Sequence, residues 1–395
     1  METFLEYLTV AGYIVLCLMF FSLAIAIHEW GHFIVALKLG LKVETFSIGF
    51  GPAIWKKVIN GVEYRLSWIP LGGYVSIPDV DPEGTKQLEG AAKDDGGKEE
   101  EREPIPVWKE LAVSVAGPLM NFVLAVIIAV ALSLIPSAKF GVLPAEIGGT
   151  LPGGAADAAG LKVGDVVEKI GESEIKTWTD LKMELQFVGT KTVDFKVRRP
   201  GVVEPLTLAV TPREDELTGA AIIQAFSVTN VTKAADWMPC RSVWGQLGND
   251  AGWIFRALKG LVTPKEMKRT GKSLGGPIMI AESIYASTRR DFFDGLGFLR
   301  FLNVNLGIMN LLPIPVLDGG IILFGLIALV CRRRVPQKVV GVITTGFMYL
   351  LLGLMAVLIL HDVYRSWKIH TFDPDKDKSV LMETLNGNEK PDPQP

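Results

Sequence analysis

The stretch Ala26-Ile27-His28-Glu29-Trp30-Gly31-His32 lies inside a hydrophobic run that extends from Leu8 to Leu37. Two histidines at this spacing share one face of a helix and can bind the same zinc ion. The glutamate between them lies about 100° round the helix from His28, where it can reach a water molecule beside the metal. Because the run is long and apolar enough to span a bilayer, the stretch predicts zinc-dependent hydrolysis in or at a membrane.

Composition indicates a membrane protein with sizeable aqueous parts. Of its 395 residues 49% are hydrophobic, and the mean hydropathy is +0.32. The net charge of −3 argues against a nucleic-acid partner. Because Cys17 and Cys331 fall in hydrophobic runs, the three cysteines, which include Cys240, suggest neither a disulfide framework nor a thiolate metal cluster. The chain has 4 histidines, so the motif holds half of them.

Four hydrophobic runs are long enough to cross a hydrocarbon core of about 30 Å. They cover residues 8–37, 111–136, 297–330 and 339–361. We expect the first run to be retained rather than cleaved as a signal peptide, because it is long and no basic residue precedes it. The short basic loop 332–338 marks the cytoplasmic side, which leaves both termini and the long region between the second and third runs outside.

The aqueous segments differ in character. Residues 43–77 predict a β-hairpin on the cytoplasmic side, because two strand-like runs flank Asn60-Gly61. Residues 79–103 are dense in acids and predict a solvated linker, and residues 371–395 predict a disordered tail. Within residues 216–296 one set of apolar positions fits a helix on the outer membrane surface and a buried globular helix equally well: Trp244, Leu247, Ile254, Phe255, Leu258 and Leu261.

A separate domain is indicated by Ala159-Gly160-Leu161-Lys162-Val163-Gly164-Asp165, which combines a helix end, a tight turn and the start of a buried strand. With further strands and one helix near Thr179–Phe187, residues 145–212 closely resemble a PDZ domain of the bacterial protease-associated kind. PDZ domains bind extended chain ends by adding them to a sheet as a strand. A spacer or size filter with the same fold is an equally good interpretation.

Four ionisable residues lie well inside the hydrophobic runs: His28, Glu29, His32 and Asp318. Such residues are costly in a bilayer and by default mark function. His28 and Asp318 each lie about 20 residues, or roughly 30 Å of helix, after the outer start of their run, so both fall near the cytoplasmic face. A catalytic zinc takes three protein ligands and keeps one position open, and Asp318 is the well-placed third ligand. Taken alone, Asp318 could instead cap a helix or pair with a buried polar group.

Several further motifs accompany this constellation. With Asn310-Leu311-Leu312-Pro313-Ile314-Pro315-Val316-Leu317-Asp318-Gly319, the first motif resembles the site-2 protease family of intramembrane zinc metalloproteases. Phe50-Gly51-Pro52, Leu71-Gly72-Gly73-Tyr74-Val75 and Ala116-Gly117-Pro118-Leu119-Met120-Asn121-Phe122, with the PDZ pattern, make the chain similar to the bacterial regulator of sigma-E protease branch. The resemblance covers most of residues 1–365. Two departures are Ile321, where relatives often have histidine, and one PDZ domain in place of two.

The resemblance implies three zinc ligands, a catalytic base and a group of substrate-binding residues. The ligands are His28, His32 and Asp318, the catalytic residues are the base Glu29 and Asn310, and the substrate-binding residues are Asn305, Gly72 and Gly73. Asn310 would hold the substrate carbonyl or oxyanion, which an amide donor can stabilise. Either asparagine could instead join two helices through hydrogen bonds.

The predicted fold is an α-helical polytopic membrane protein with four transmembrane helices, a cytoplasmic-side β-hairpin and an inserted α+β PDZ domain. The predicted segments are the first transmembrane helix (1–42), hairpin region (43–77), acidic linker (78–106), second helix (107–137), PDZ domain (138–215), outer helical region (216–296), third helix (297–331), basic loop (332–338), fourth helix (339–363) and tail (364–395).

The leading functional hypothesis is an intramembrane zinc metalloprotease of the bacterial inner membrane that cuts single-span membrane proteins. By resemblance, its substrates are anti-sigma factors or signal-peptide remnants, and the PDZ domain is a further site for peptide chain ends. A zinc transporter is the alternative, but a transporter needs polar residues at several depths, whereas this chain gathers them at one. A PDZ scaffold with an inactive metal site is a third possibility, against which the complete set of ligands and base argues.

Overall fold

The structure is a computed structural model that describes residues 2–80, 105–134, 141–142, 144–215, 221–227, 238–239, 242–264, 267, 276–290 and 292–371. Residues 81–104 of the predicted acidic linker therefore lie outside the described residues, as does the predicted tail from residue 372.

Helices form most of the described chain. In chain order they are α1 (Glu2–Lys38), α2 (Val107–Leu134), α3 (Ala155–Ala158), α4 (Trp178–Val188), α5 (Val243–Val262), α6 (Pro277–Arg290), α7 (Phe292–Asn310), α8 (Asp318–Cys331) and α9 (Gln337–Thr371). Among the described residues, three helical stretches are long and apolar enough to cross a membrane: Leu18–Lys38, Val107–Leu134 and Gln337–Tyr364. α9 continues past residue 363, where the sequence predicted the fourth helix to end.

The third predicted run, residues 297–330, forms two helices, as the two prolines and two glycines around Asp318 indicate. α7 ends at Asn310 and α8 begins at Asp318. The prolines between them lack the backbone N–H that would continue a helix. The turn is also tightly packed, since a Cβ added at Gly319 would lie 2.0 Å from the Leu312 carbonyl oxygen. This break places Asp318 in the first turn of a short apolar helix instead of in the middle of a long one.

α1 and α2 form the centre of the membrane part. The two helices approach so closely that a Cβ added at Gly31 would lie 2.3 Å from the Ala116 carbonyl oxygen. Small residues permit such close helix packing in membranes. Phe20, which precedes the crossing in α1, and Ile128, which follows it in α2, share a buried apolar cluster with Leu299 of α7. The crossing therefore fixes α1 against α2 at the histidine motif.

A long hairpin follows α1. Its strands are β1 (Thr45–Ile59) and β2 (Val62–Ser76), and Asn60 and Gly61 both have positive φ, as the predicted two-residue turn requires. Both strands bend, because the start of β1, residues 45–48, pairs with residues 63–66 on one side and with residues 73–76 on the other. The last four residues of β2 therefore form an outer edge of the sheet, and β2 packs against α1.

The strands after α2 build a second β-rich region. They are β3 (Gly141–Val142), β4 (Ile147–Thr150), β5 (Val166–Ile170), β6 (Ser173–Glu174), β7 (Val193–Arg198), β8 (Leu206–Val210), β9 (Arg213–Glu214), β10 (Ala221–Ile222), β11 (Ala225–Ser227) and β12 (Met238–Pro239). We call residues 144–227, as far as they are described, the inserted domain. Its main sheet has the order β6-β5-β7-β8, and β11 pairs with β4. α4 covers the predicted helix near Thr179–Phe187 and begins with a capping box of Thr177 and Asp180.

The predicted Gly164-Asp165 turn is fixed by a buried ion pair in the inserted domain. Arg199 donates to both carboxylate oxygens of Asp165 at 2.8 Å, and the Lys162 backbone N–H donates at 2.9 Å. Burial alone would raise the pKa of Asp165, but these hydrogen bonds hold the pKa below its usual value. The pair therefore adds stability above the unfolded-state pKa of the carboxyl group, and this stability is lost as the pH falls through the lowered folded-state pKa.

Two charged residues join α5 and α6 to the membrane helices. Arg300, near the start of the third run, lies in α7 and donates to Asp250 of α5 at 2.7 Å. The list of ionisable residues inside the runs was therefore too short, because α7 begins before the predicted run. Asp362 of α9 is buried and accepts hydrogen bonds from the backbone N–H groups of Gly276 and Met279 at the start of α6. These contacts fasten α5 and α6 to the membrane helices.

Candidate active site

α1 directs the two motif histidines toward the interior of the membrane part. His28 and His32 are 7% and 9% exposed, whereas Trp30, which lies between them in sequence, is 48% exposed. This division follows from the helical period, since residues four apart share a face and residues two apart do not. The apolar outer face of α1 is thereby left to lipid, and the imidazoles meet α2, α7 and α8.

Asp318 lies opposite the two histidines. Its carboxylate oxygens are 3.2 Å from His28 Nε2 and 3.4 Å from His32 Nε2. The two Nε2 atoms are 3.2 Å apart, and the three potential ligand atoms all lie within 4.8 Å of one another. The structure therefore brings Asp318 to the two histidines, although they are far apart in the sequence. The sequence had matched them by their expected depth in the bilayer.

The three side chains fit a zinc ion. His32 Nδ1 donates to the Val113 carbonyl oxygen at 2.7 Å, which directs the lone pair on Nε2 toward the other two residues. Asp318 Oδ2 is buried without an aligned hydrogen-bond donor, although His28 Nε2 is close by. Two imidazole nitrogens and one carboxylate oxygen form a common donor set of catalytic zinc sites. A buried carboxylate oxygen in need of a positive partner suits the same ion.

Glu29 contacts the last segment of β2. The Val75 backbone N–H donates a hydrogen bond to its carboxylate. A Cβ added at Gly73 would lie 3.4 Å from Glu29 Cγ and 2.8 Å from the Ser47 carbonyl oxygen. Gly72 has φ +155°, and a Cβ there would lie 1.8 Å from the Phe50 ring. The two glycines therefore let the edge of the hairpin approach the base and the three clustered ligands closely.

Arg65 ties this edge to the rest of the hairpin. Its Nε donates to the Glu63 carboxylate at 2.5 Å, and its guanidinium also donates to the Tyr74 hydroxyl oxygen at 3.1 Å. The hydrogen bond from Arg65 lowers the pKa of Glu63, which keeps this pair charged at neutral pH. Arg65 and Tyr74 both belong to β2 and both pair with Ser47 of β1, so their contact joins the two segments of β2 on either side of β1.

Comparison with known proteins decides the family. The chain matches the sequence model of peptidase family M50 over residues 16–354. The chain belongs to peptidase family M50. It is 31% identical over 352 residues, which cover 89% of this chain and 98% of the relative, to a protein of Clostridium perfringens (strain 13 / Type A) named "Putative zinc metalloprotease".

Other M50 relatives are similar over comparable lengths. The chain is 27% identical over 433 residues to the regulator of sigma-W protease RasP of Bacillus subtilis (strain 168), covering 90% of this chain and 98% of the relative. It is 28% identical over 374 residues to the metalloprotease MmpA of Caulobacter vibrioides, covering 87% and 93%. These comparisons confirm the predicted zinc metalloprotease and its zinc cofactor.

The two predicted asparagines differ in their positions relative to this M50 site. The Asn310 amide nitrogen lies 3.4 Å from His28 Nε2 and is thus beside the clustered ligands. Asn305 instead donates to the Phe301 carbonyl oxygen of its own helix at 2.7 Å. The Asn305 amide oxygen is buried and has no hydrogen-bond partner, and the substrate-binding role of Asn305 stays a prediction.

Two residues of α2 belong to the site although sequence reasoning gave them no role. A Cβ added at Gly117 would lie 2.2 Å from His32 Nε2 and 2.9 Å from His28 Cε1. The Asn121 amide nitrogen lies 3.1 Å from His28 Nδ1. Both belong to Ala116-Gly117-Pro118-Leu119-Met120-Asn121-Phe122, which contributed only to the family resemblance. The i, i+4 spacing of Gly117 and Asn121 was the available signal for a shared helix face.

Proposed function

We propose that this M50 peptidase hydrolyses peptide bonds within or near the transmembrane segments of single-span membrane proteins. The observation that carries the proposal is the convergence of His28, His32 and Asp318 on apolar helices, beside Glu29 and the edge of a β-hairpin. A protease site formed by membrane-spanning helices can reach a substrate that lies in the bilayer. The similarity to the regulator of sigma-W protease RasP favours regulatory substrates such as anti-sigma factors.

In this proposal His28, His32 and Asp318 hold the zinc ion. Zinc, when bound, supplies a Lewis acid that polarises the scissile carbonyl group. The Glu29 carboxylate accepts a proton from the attacking water and passes it to the nitrogen of the leaving amine. The Asn310 side-chain amide can donate to the substrate oxygen as negative charge develops on it. The apolar helices around these groups limit bulk water and so strengthen each of these electrostatic interactions.

We further propose that substrate enters as an added strand on the outer edge of β2. A transmembrane helix hides its carbonyl groups in internal hydrogen bonds, so cleavage requires a local unwinding. The Ser76 carbonyl oxygen accepts from Glu44 within the sheet, which turns the backbone groups of Gly73 and Val75 to the opposite side, toward Glu29. An unwound substrate paired there would present a carbonyl group to the site. Unchanged cleavage by a Gly73→Pro variant, which lacks the edge N–H, would argue against this entry route.

The membrane arrangement is part of the same proposal. Three helical stretches have the length and hydropathy of membrane spans, and the α7–turn–α8 unit would form another crossing. With the basic loop 332–338 in the cytoplasm of a bacterial inner-membrane protein, both termini and the inserted domain lie outside. The strand order and the helix α4 support a single PDZ domain of the sigma-E protease branch that binds chain ends or acts as a filter.

Reconstitution in liposomes tests the proposed function. The purified chain is combined with a single-span model substrate whose membrane segment contains a helix-destabilising residue, and products are mapped by mass spectrometry. We expect cleavage inside or next to that segment, complete loss after treatment with a zinc chelator, and recovery on addition of zinc. A matched substrate with the same residue placed in its soluble part should remain intact. Cleavage that survives metal removal, or occurs only in the soluble part, would exclude the proposal.

A further inference from the structure

Asn121 contacts the His28 ring on the side away from the clustered ligand atoms. The side chain is completely buried, and its amide nitrogen lies 3.1 Å from His28 Nδ1. Its amide oxygen is also buried and has no hydrogen-bond partner. A buried amide oxygen without a donor is energetically costly, so a fully buried asparagine in this state calls for an explanation.

The hydrogen bonds of the two histidines define where their protons lie in this arrangement. Because His32 Nδ1 donates to the Val113 carbonyl, His32 Nε2 carries a lone pair. His28 Nε2 lies 3.2 Å from two acceptors, His32 Nε2 and Asp318 Oδ2, so it is the His28 nitrogen that carries the N–H. His28 Nδ1 then has a lone pair and accepts from the Asn121 amide nitrogen. The four groups form one consistent chain of donors and acceptors.

Metal coordination through His28 Nε2 needs the opposite tautomer. The lone pair must then be on Nε2 and the ring proton on Nδ1, and this exchange neither adds nor removes a proton overall. The new Nδ1–H requires an acceptor at the place where Asn121 now presents N–H. A half-turn of the amide about its Cβ–Cγ bond exchanges oxygen and nitrogen at that place. The oxygen that has no partner in the present arrangement would thereby gain one.

We propose that Asn121 is a positioning residue whose side-chain oxygen accepts from His28 Nδ1–H and so holds His28 as a zinc ligand through Nε2. This inference rests on the proposed zinc site. The Asn310 amide also lies near the ring, but its nitrogen is 3.5 Å from Nδ1 and similarly far from Nε2, so it is not aligned with one ring nitrogen. Partners of this kind fix ring orientation and tautomer, and their loss typically costs about 10–100-fold in metal affinity.

Zinc affinity of the full-length chain in detergent, measured by competition with a chromogenic chelator, tests this inference. We expect Asn121→Leu to weaken zinc binding by about 10–100-fold. Asn121→Asp keeps an acceptor oxygen but loses the amide donor, so we expect affinity within about threefold of the original chain, or tighter. The matched control is Asn303→Leu, because Asn303 is also completely buried with an unpartnered amide oxygen, but donates to the Leu299 carbonyl of its own helix. We expect that control to keep its zinc affinity.

The outcomes separate this inference from the proposed function. Equal zinc affinity in Asn121→Leu and the original chain would overturn the role of Asn121 and leave the zinc site intact. A tenfold or greater loss in Asn121→Asp as well would also overturn it, because the amide would then matter as a donor or as filler. If Asn121→Leu does not fold, the zinc affinity of Asn121→Asp alone tests the inference. Affinity within threefold of the original chain supports it, and a loss of tenfold or more overturns it. An original chain that binds no zinc would contradict the proposed site and this inference together.

Discussion

Replacing Glu29 with glutamine is expected to lower the cleavage rate by about 10²–10⁴-fold while zinc stays bound at one ion per chain. Glutamine has nearly the same size and can still accept the hydrogen bond from Val75 N–H. It cannot accept the proton of the attacking water, so the step that generates the nucleophile fails. Zinc remains because Glu29 is not among the three residues whose ligand atoms converge.

Two measurements on the same preparation check this result. Cleavage of the single-span substrate gives the rate, and metal analysis of the purified chain gives the zinc content. The matched control is Glu44→Gln, which makes the same chemical change in an ion pair with Lys42 at the start of the hairpin. A Glu29→Gln variant that cleaves within threefold of the original rate would remove Glu29 from its proposed role. Loss of zinc in that variant would instead place Glu29 in the metal site.

Replacing Gly117 with alanine is expected to damage the zinc site itself. The added methyl carbon would lie 2.2 Å from His32 Nε2 and 2.6 Å from His32 Cε1, so the ring has to move by more than 1 Å to reach ordinary contact. A displacement of this size in a catalytic group costs about 10²-fold in rate. We expect zinc affinity to fall at least tenfold, because the ring that moves is one of the three ligands.

The control for this variant is Gly353→Ala. Gly353 lies in α9, and a Cβ added there meets nothing within 4 Å. Both substitutions exchange glycine for alanine in an apolar helix, so they share any effect on helix propensity. The account expects only Gly117→Ala to lose zinc and activity. Full activity in Gly117→Ala would mean that α2 does not approach the histidines as closely as the structure places it.

The ligand set could be predicted because its signals are local or depend only on depth. The four-residue spacing places His28 and His32 on one helix face, whatever packs against it. Asp318 was identified because a carboxylate at matching depth in an apolar run is rare. The hairpin turn at Asn60-Gly61 likewise follows from the backbone conformations that these two residues tolerate.

The rest of the site depends on how helices cross, and the sequence does not specify this. Nothing in the α2 sequence determines that Gly117 faces His32 or that Asn121 meets His28, because both contacts follow from the close approach of Gly31 to Ala116. The prolines and glycines near residues 311–317 indicate that the third run is divided there. They do not indicate how long the two resulting helices are. Arg300 was left out of the ionisable residues inside the runs because its partner, Asp250, lies in residues 216–296, for which the sequence left two interpretations open.

Zinc K-edge X-ray absorption of the purified, zinc-loaded chain in detergent tests the central claim most directly. The proposed centre of His28, His32 and Asp318 predicts the multiple-scattering signature of two imidazoles, with the remaining ligands oxygen and with no zinc–sulfur shell near 2.3 Å, the usual Zn–S distance. Fewer than two imidazoles, or a sulfur shell, would contradict the assignment of the zinc ligands on which the catalytic account depends.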